Sequence, residues 1–399
     1  MLPLHAVLPT PSPGGLLSRS KRTKLPWAPD GPAWLPVTSP LLPDWDALAP
    51  RLQAILERGW LTNQGAAAQE LERVLRAALG APNAHLMTNG TLALEVLIRA
   101  ALPFGEILVP AYSFPATWNL LLDDPRYRVR FVDVGEDGNL DPDAAAAAIG
   151  PETTGILAVH AYGFPCHPDA LQGLATRHGL SLIFDAAHAF GVRWHGTPLG
   201  ALGDGSAWSF HATKVFNTLE GGAVTTRHDP VVADVEARRN FGFAPGGQQL
   251  LGTNAKLDEF RAAFGLTTMP LVPAAIEARG RVARAYDETL HEVTGLRLPT
   301  WLRGDETFTP NHAYYPVFFD TGESRAAAEA ALKAVHVLPR RYFASGLFED
   351  PAYEGLLDPS ALPVAHRLSE TVLCLPIHHA MTDGDVALVV ETLRAHLGA

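Results

Sequence analysis

The chain has 399 residues, which is more than one ordinary hydrophobic core can serve, so its length predicts a large and a small domain. Its formal net charge of −11 excludes a protein that binds the phosphate backbone of nucleic acids, because such proteins need a basic face. Its two cysteines have neither the spacing of a disulfide framework nor that of zinc ligands, so we expect no metal site. No apolar run reaches the roughly 20 residues that span a bilayer. We therefore expect a cytoplasmic chain without a nucleic-acid or membrane partner.

Residues 1–40 are interrupted repeatedly by proline, which opposes both helices and central strands. This composition predicts a mobile N-terminal extension. The basic stretch SRSKRTK at residues 18–24 has no amphipathic helix or lipidation motif beside it, so we do not assign it to membrane anchoring.

From residue 44 onward, helical and strand-like segments alternate, which is the pattern of a mainly parallel sheet with helices on both faces. Apolar residues at three-to-four spacing predict helices over Trp45–Arg58 and Ala66–Leu79, and Asp141 is placed to cap a helix over residues 142–149. Short apolar runs between turn residues predict buried strands at residues 107–110, 129–133, 155–160 and 180–185.

A long helical pattern over residues 271–290 predicts the exit from the large domain. A strand at residues 314–320 and helices at residues 324–334 and Asp383–Leu397 are expected to follow it. The sequence thus predicts an α/β fold with an N-terminal extension (1–40), a large domain with a mainly parallel sheet flanked by helices (41–270) and a smaller C-terminal α/β domain (271–399).

The first candidate binding motif is TNGT at residues 88–91, which opens a helical run over residues 92–101. Backbone N–H groups at a helix N-terminus favour an anion such as phosphate, and Thr91 adds a hydroxyl. Asn89, Gly90 and Thr91 are therefore candidate phosphate ligands. The alternative is an ordinary helix cap formed by Asn89 or Thr91.

Asp185 ends a strongly apolar strand and precedes AAHAFG at residues 186–191. Ligands of open parallel sheets bind beyond the carboxyl ends of the strands, so this carboxylate is expected to face a crevice. The alternative is an aspartate that only caps a helix.

Lys214 ends the segment SFHATK at residues 209–214. A lysine among small and apolar neighbours is partly desolvated, which lowers its pKa and makes its neutral amine available as a nucleophile. Ser209 and His211 precede it and are placed to reach a bound phosphate. An ordinary surface lysine is the alternative, although exposed lysines seldom have such neighbours.

With these three motifs in place, the chain resembles the sugar aminotransferases of the DegT/DnrJ/EryC1/StrS family, a branch of the fold-type I pyridoxal-phosphate enzymes. The resemblance runs from about residue 34 to the C-terminus. Its motifs stand in the family's order: GWLTN (59–63), TNGT (88–91), YSFPAT (112–117), FDAAH (184–188), SFHATK (209–214) and GTN (252–254). Six motifs in one order are far more specific than any one of them.

The resemblance implies pyridoxal 5'-phosphate as the cofactor, with pyridoxamine 5'-phosphate as its form between the two halves of the reaction. It implies that Lys214 forms the Schiff base and carries the transferred proton, and that Asp185 pairs with the pyridine nitrogen. Phe114 matches the aromatic ring that stacks on the cofactor. His188 departs from the glutamine that many members have beside the cofactor's ring hydroxyl, but either side chain can donate a hydrogen bond there.

The same resemblance implies how the phosphate is held and how the subunits assemble. Gly90, Thr91 and Ser209 match positions that hold the phosphate, and Asn89 and His211 remain cofactor-binding candidates from their own motifs. Asn254 matches an asparagine that reaches the cofactor phosphate of the neighbouring subunit. A homodimer with shared active sites is therefore expected.

The segments around residues 60 and 340 are the candidate substrate-binding regions. They supply the candidate residues Trp60, Thr62, Asn63, Arg340, Arg341 and Tyr342. Arg340, Arg341 or Lys256 would clamp a nucleotide diphosphate by charge-assisted contacts, although each is equally well explained as a surface charge. The lysine neighbourhood and RRYF at residues 340–343 look most like members that act on dTDP-linked keto-deoxy sugars.

The expected reaction is therefore amino transfer from L-glutamate to a nucleotide-linked 3-keto or 4-keto-6-deoxyhexose, giving an amino sugar for glycan, O-antigen or natural-product biosynthesis. Two alternatives stay open at this stage. A dehydratase of the same family would carry histidine in place of Lys214. A regulatory member that binds the cofactor without turnover is the other, because a fold alone does not establish a function.

Overall fold

The computed structural model describes residues 22–25, 28–343, 348 and 350–398. Helices in this part of the chain are α1 (Trp45–Arg58), α2 (Ala66–Leu79), α3 (Gly90–Ala101), α4 (Ala116–Asp123), α5 (Pro142–Ala148), α6 (Pro168–His178), α7 (Asp229–Arg238), α8 (Glu259–Thr268), α9 (Val272–Leu290), α10 (Gly322–Ala334), α11 (Pro363–Thr371) and α12 (Asp383–Leu397).

Strands in the same residues are β1 (Thr23–Leu25), β2 (Ala28–Pro36), β3 (Asn83–Met87), β4 (Gly105–Pro110), β5 (Tyr127–Val132), β6 (Thr153–Val159), β7 (Ser181–Asp185), β8 (Arg193–Trp194), β9 (Thr197–Pro198), β10 (Gly205–Ser209), β11 (Gly222–Thr226), β12 (Phe243–Ala244), β13 (Gly247–Gln248), β14 (Leu296–Arg297), β15 (Phe308–Thr309), β16 (Tyr315–Phe319), β17 (Val337–Leu338) and β18 (Val372–Leu375). The helices and strands named from the sequence patterns are all present, with ends that differ by up to two residues.

A seven-stranded sheet has the order β3-β11-β10-β7-β6-β4-β5. The strands from β10 to β5 pair in parallel, whereas β11 runs antiparallel to both of its neighbours. The prediction of a mainly parallel sheet is confirmed. Because the carboxyl ends of β4, β6, β7 and β10 lie along one edge, this edge is where such a sheet binds ligands.

Local sequence explains how the elements beside that edge begin. The Asn89 side chain accepts a hydrogen bond from the backbone N–H of Leu92 and so caps α3. Asp141 caps α5 as predicted, since its carboxylate accepts from two N–H groups of the first turn. The inner residues of β7 are fully buried, which agrees with a strand that has a covered sheet face on either side.

A second sheet contains β14, β16 and β18 in antiparallel register. Its core joins α9, α10 and α12, with Tyr286, Val317 and Val389 among the buried side chains. Helix α9 packs into two cores, because Val272 belongs to the core of the large sheet and Tyr286 to this one. The domain boundary near residue 270 stays a prediction.

Part of the predicted mobile extension forms strand instead. β2 pairs in parallel with β17, and the Leu35 N–H donates to His336 O at 2.9 Å. The Leu35 side chain is fully buried in the core of the smaller sheet. The proline-based expectation is therefore wrong for residues 28–36, because β1 pairs with one part of this strand and β17 pairs with its last two residues. Residues 1–21 lie outside the described residues.

Within the described ranges, no helix combines the length and the apolar character needed to cross a membrane. The same residues contain no group of three or more histidine, cysteine, aspartate or glutamate side chains that could hold a metal ion.

Candidate active site

A cavity of about 410 Å³ opens at the carboxyl edge of the large sheet. It gathers residues from the segments that follow β3, β4, β7 and β10, together with one aromatic wall from the C-terminal third of the chain. Ten residues predicted from the sequence line it: Asn89, Gly90, Thr91, Phe114, Asp185, His188, Ser209, His211, Lys214 and Tyr342. The sheet topology brings nine of them together, because the strands before them end at the same edge, whereas Tyr342 belongs to the aromatic wall.

Lys214 lies in the loop after β10, partly buried in the cavity wall. Burial lowers the pKa of its amine from 10.5 to about 8, because desolvation disfavours the charged form. The nearby Asp185 carboxylate acts in the opposite direction and limits the shift. A considerable fraction of the amine is therefore neutral near pH 8, which is the form that can act as a nucleophile.

Asp185 ends β7 and is 8% exposed. Its carboxylate accepts hydrogen bonds from Thr117 Oγ1 at 2.9 Å and from the Ala187 N–H at 3.1 Å. Burial raises the pKa of this carboxyl, while the two hydrogen bonds and Lys214 oppose the rise. Ser113 Oγ lies 2.8 Å from Thr117 Oγ1, so a short chain of hydroxyls orients the carboxylate toward the cavity.

The start of α3 lies against the end of β10. A Cβ added to Gly90 would stand 2.7 Å from the Ser209 Cβ, so only glycine allows this close approach. The first N–H groups of a helix have no partner within the helix and suit an anion. Asn89 caps the helix and also lines the cavity, so the capping role and the proposed phosphate contact are compatible.

His188 lies between two aromatic rings at the back of the cavity. Its ring is stacked on Phe343 with centroids 5.6 Å apart and meets Tyr314 edge-on at 4.8 Å. Burial lowers the pKa of His188, so its imidazole is neutral at physiological pH. Its Nδ1 is buried without a hydrogen-bond partner among the described residues, as expected of a group that serves a bound molecule.

His211 and Glu220 form the polar rim of the same cavity. His211 Nδ1 lies 2.8 Å from Thr213 Oγ1, and its Nε2 lies 3.6 Å from Glu220 Oε1. Both side chains are largely exposed, so this ion pair is weak in water and either partner can turn to a ligand.

Six other candidates do not line the cavity of their own chain: Trp60, Thr62, Asn63, Asn254, Arg340 and Arg341. The Trp60 indole is 54% exposed and donates to Asn63 O at 3.3 Å. Asn254 Oδ1 accepts from Lys256 Nζ at 2.7 Å. Arg341 Nε lies 3.7 Å from Glu329 Oε2, whereas Arg340 pairs through its backbone with Cys374.

Sequence reasoning missed several residues of the site. Ser113 lines the cavity and Thr117 holds Asp185, and both lie within the motif YSFPAT, where their hydroxyls were the available signal. Glu220 lies directly before Gly221 and Gly222, and its signal was a charged residue among uncharged neighbours. Phe343 ends RRYF, the segment already singled out, whereas Tyr314 carried no local signal, because only the tertiary fold places it in the cavity.

The buried amine predicts a pH-dependent stability difference between the wild type and Lys214→Met. Below pH 8 the lysine is protonated in both the folded and the unfolded chain, so the full desolvation penalty acts on the folded state. Between pH 8 and 10.5 the folded lysine loses its proton while the unfolded one keeps it, so the unfolding free energy of the wild type rises with pH.

We therefore expect the methionine variant, freed of small-molecule ligands, to be more stable than the wild type below pH 8 by up to about 3 kcal/mol, with the difference vanishing toward pH 10.5. Urea unfolding of both proteins across this pH range measures it. Parallel stability curves would show that the amine is not desolvated.

A model described as the DegT/DnrJ/EryC1/StrS aminotransferase family matches residues 46–394. A dTDP-4-amino-4,6-dideoxy-D-glucose transaminase of Escherichia coli is 35% identical over 372 residues, which cover 91% of this chain and 98% of the relative. A crystal structure of DesI in the presence of its TDP-sugar product is 38% identical with a TM-score of 0.84, and the match covers 92% of this chain and 95% of that one.

A crystal structure of S. venezuelae DesV in complex with a ketimine intermediate is 27% identical with a TM-score of 0.81. This match covers 91% of the present chain and 99% of the DesV chain. The similarity extends through both sheets, well beyond the six motifs. The resemblance inferred from those motifs is confirmed.

Proposed function

The chain belongs to the DegT/DnrJ/EryC1/StrS aminotransferase family and is a sugar aminotransferase of fold type I, and from this premise we propose that it transfers the amino group of L-glutamate to the ketone of a dTDP-linked 6-deoxyhexose, with pyridoxal 5'-phosphate as its cofactor. The observation that carries the proposal is the meeting of Lys214 and Asp185 in one cavity. There the amine has a lowered pKa and the carboxylate is held by two hydrogen bonds.

The cavity fits this cofactor in three respects. Gly90 lets the start of α3 lie against Ser209, so the first N–H groups of the helix and the serine hydroxyl can reach one phosphate. Asp185 places a carboxyl group in a buried position, which suits a protonated ring nitrogen. His188 Nδ1 is buried without a described partner, which suits the ring hydroxyl. When bound, the cofactor supplies an electron sink for the carbon that gains or loses a proton.

Four side chains would then act on the bound cofactor. Lys214 Nζ would hold the cofactor covalently and would carry the transferred proton. The Asp185 carboxylate would pair with the ring nitrogen. Neutral His188 would donate to the ring hydroxyl, and its imidazole is fixed by its aromatic neighbours. Phe114, 54% exposed at the cavity edge, would stack on the cofactor ring.

The choice of sugar is supported by the relatives. The Escherichia coli relative is named for a 4-amino sugar and the DesI structure was obtained with a TDP-sugar product, so a dTDP-linked 4-keto-6-deoxyhexose is the first substrate to test, before the 3-keto isomer. No arginine lines the cavity formed by the described residues. A diphosphate contact by Arg340, Arg341 or Lys256 therefore requires a neighbouring subunit or a movement of these side chains.

The two alternatives are disfavoured by the same cavity. A dehydratase would carry histidine where this chain has Lys214. A regulatory member without turnover would need the lysine to hold the cofactor, but the carboxylate that makes the cofactor a better electron sink would serve turnover alone.

We also propose a homodimer in which the segment around Asn254 completes the partner's site. The structure leaves large apolar side chains exposed on and beside this segment, with Leu251 at 85% and Phe243 at 51% exposure. Exposed apolar groups of this size are typical of surfaces that become covered. Lys256 lies against the Phe241 ring at 4.5 Å and donates to Asn254, which gives the segment a fixed shape before any contact.

Subunit mixing tests the shared site. A Lys214→Ala chain and an Asn254→Ala chain, each impaired alone, should regain activity when they are unfolded together and refolded, because one site of each mixed dimer then combines a normal Lys214 with a normal Asn254. Random mixing restores up to about a quarter of the wild-type sites by this counting. If activity does not rise above that of the two separate variants, each site is built from one chain.

The function itself is tested by absorption spectroscopy of the wild type with pyridoxal phosphate. L-Glutamate should remove the visible band of the bound cofactor, and a dTDP-4-keto-6-deoxyhexose added afterwards should restore it and yield an amino sugar detectable by mass spectrometry. Absence of cofactor binding, or of a response to glutamate, would refute the proposal.

A further inference from the structure

Two tyrosines outside the proposed catalytic set lie behind the aromatic wall of the cavity. Tyr112 follows β4, and Tyr162 follows β6 with a left-handed backbone at φ 57°. Their side chains are fully buried, and their hydroxyl oxygens are 2.5 Å apart. Neither hydroxyl touches the cavity, so a direct role in the reaction is not available to them.

Both hydroxyls form hydrogen bonds with the peptide group that joins Tyr342 to Phe343. The Tyr162 hydroxyl donates to Tyr342 O at 2.6 Å, and the Phe343 N–H donates to the Tyr112 oxygen at 3.3 Å. Each hydroxyl has one proton. The Tyr162 proton is engaged by the carbonyl. The Tyr112 hydroxyl lies 2.5 Å from the Tyr162 oxygen and 3.4 Å from Tyr342 O, and the shorter contact makes Tyr162 its main acceptor. These contacts link both hydroxyls and the peptide group into a closed ring of hydrogen bonds.

This peptide group joins the two residues that form the aromatic wall of the cavity. Tyr342 and Phe343 line the cavity, and Phe343 is stacked on His188. Phe343 also packs on both tyrosine rings, at 5.7 Å from Tyr112 and 5.6 Å from Tyr162. Burial raises the pKa of both tyrosines, so the hydroxyl protons that the ring requires are present throughout the physiological range.

We propose that Tyr112 and Tyr162 are positioning residues that hold the Tyr342–Phe343 wall at the place where the keto sugar binds. This inference rests on the proposed function, since it assigns the wall to the sugar. Hydrogen bonds between neutral groups in a dry interior are directional, and a wall fixed before binding need not be ordered by the substrate. The small donor glutamate depends on it less than the larger sugar nucleotide does.

The test uses Tyr112→Phe and Tyr162→Phe, which remove one hydroxyl each and keep the rings. Tyr286→Phe is the matched control, because Tyr286 is also fully buried and donates to a backbone carbonyl, Pro376 O, at 2.8 Å in the smaller core. We expect the two variants to raise KM for the keto sugar about tenfold with a smaller change in kcat, and to leave the glutamate half-reaction within about twofold. The control should change neither half-reaction.

Amide hydrogen exchange provides a readout that needs no turnover. The Phe343 amide, resolved with overlapping peptides, should exchange faster in both variants than in the wild type and the control. Unchanged exchange, or equal losses in both half-reactions, would overturn the positioning role. If the wild type shows no response to glutamate, the proposed function fails instead, and the exchange result still decides whether the tyrosines hold the wall.

Discussion

Lys214→Ala is expected to lower turnover of the amino transfer by at least about 10⁴-fold, because it removes both the nucleophile and the proton carrier of one site. The cavity should survive, since the side chain lies in its wall and its amine makes no hydrogen bond or ion pair with the described residues. Stopped-flow absorption with L-glutamate, followed by mass spectrometry of the sugar product, measures the loss. The bound cofactor should also lose the absorption band that depends on its bond to the lysine.

Two controls test whether the loss of turnover is due to the Lys214 amine and not to the removal of any lysine side chain. Lys333→Ala removes a lysine of α10 that is 45% exposed and pairs with Glu329, so it should leave turnover unchanged. A small primary amine added to Lys214→Ala should restore part of the proton transfer, because it can enter the space that the side chain leaves. Turnover of the alanine variant within about tenfold of the wild type would contradict the assignment.

Asp185→Asn is expected to lower turnover by about 10²-fold to 10³-fold while the cofactor still binds. An amide cannot hold a proton on the ring nitrogen by charge, so the ring withdraws electrons less well. Asparagine has nearly the same size and can still bond to Thr117 and to the Ala187 N–H, so the packing should persist. The rates of the glutamate half-reaction and the folding midpoint in urea are the two measurements.

Asp204→Asn is the matched control for this change. Asp204 accepts the Leu182 N–H at 2.8 Å near the opposite end of β7, so the substitution alters a carboxylate of the same strand neighbourhood outside the cavity. Its turnover should stay close to that of the wild type. A loss of equal size in both variants would assign the effect of Asp185→Asn to stability.

Much of the fold follows from local pattern. Apolar spacing predicts α1, α2 and α12 with the bounds that the structure has, and Asp141 signals its cap. Apolar side chains that recur at period 3.6 or stand in short runs must face a core, so the type and bounds of these elements can be predicted from neighbouring residues.

The candidate site was predictable for a related reason. Asn89, Asp185 and Lys214 each follow or open an element whose position in a parallel sheet is set by topology, so their convergence at one edge could be inferred. The candidates around Trp60 and Arg340 could not be placed in this way, because loops and long side chains are positioned by their tertiary contacts.

By itself, the sequence determined the order of the elements, the family and the residues that carry the proposed chemistry, since all three reside in local patterns and motifs. The tertiary structure decided which distant segments meet. β2 pairs with β17, and the hydroxyl of Tyr162 meets a carbonyl 180 residues further along the chain. Such contacts depend on the free energy of the whole packed core, so the residues next to them in the sequence do not predict them.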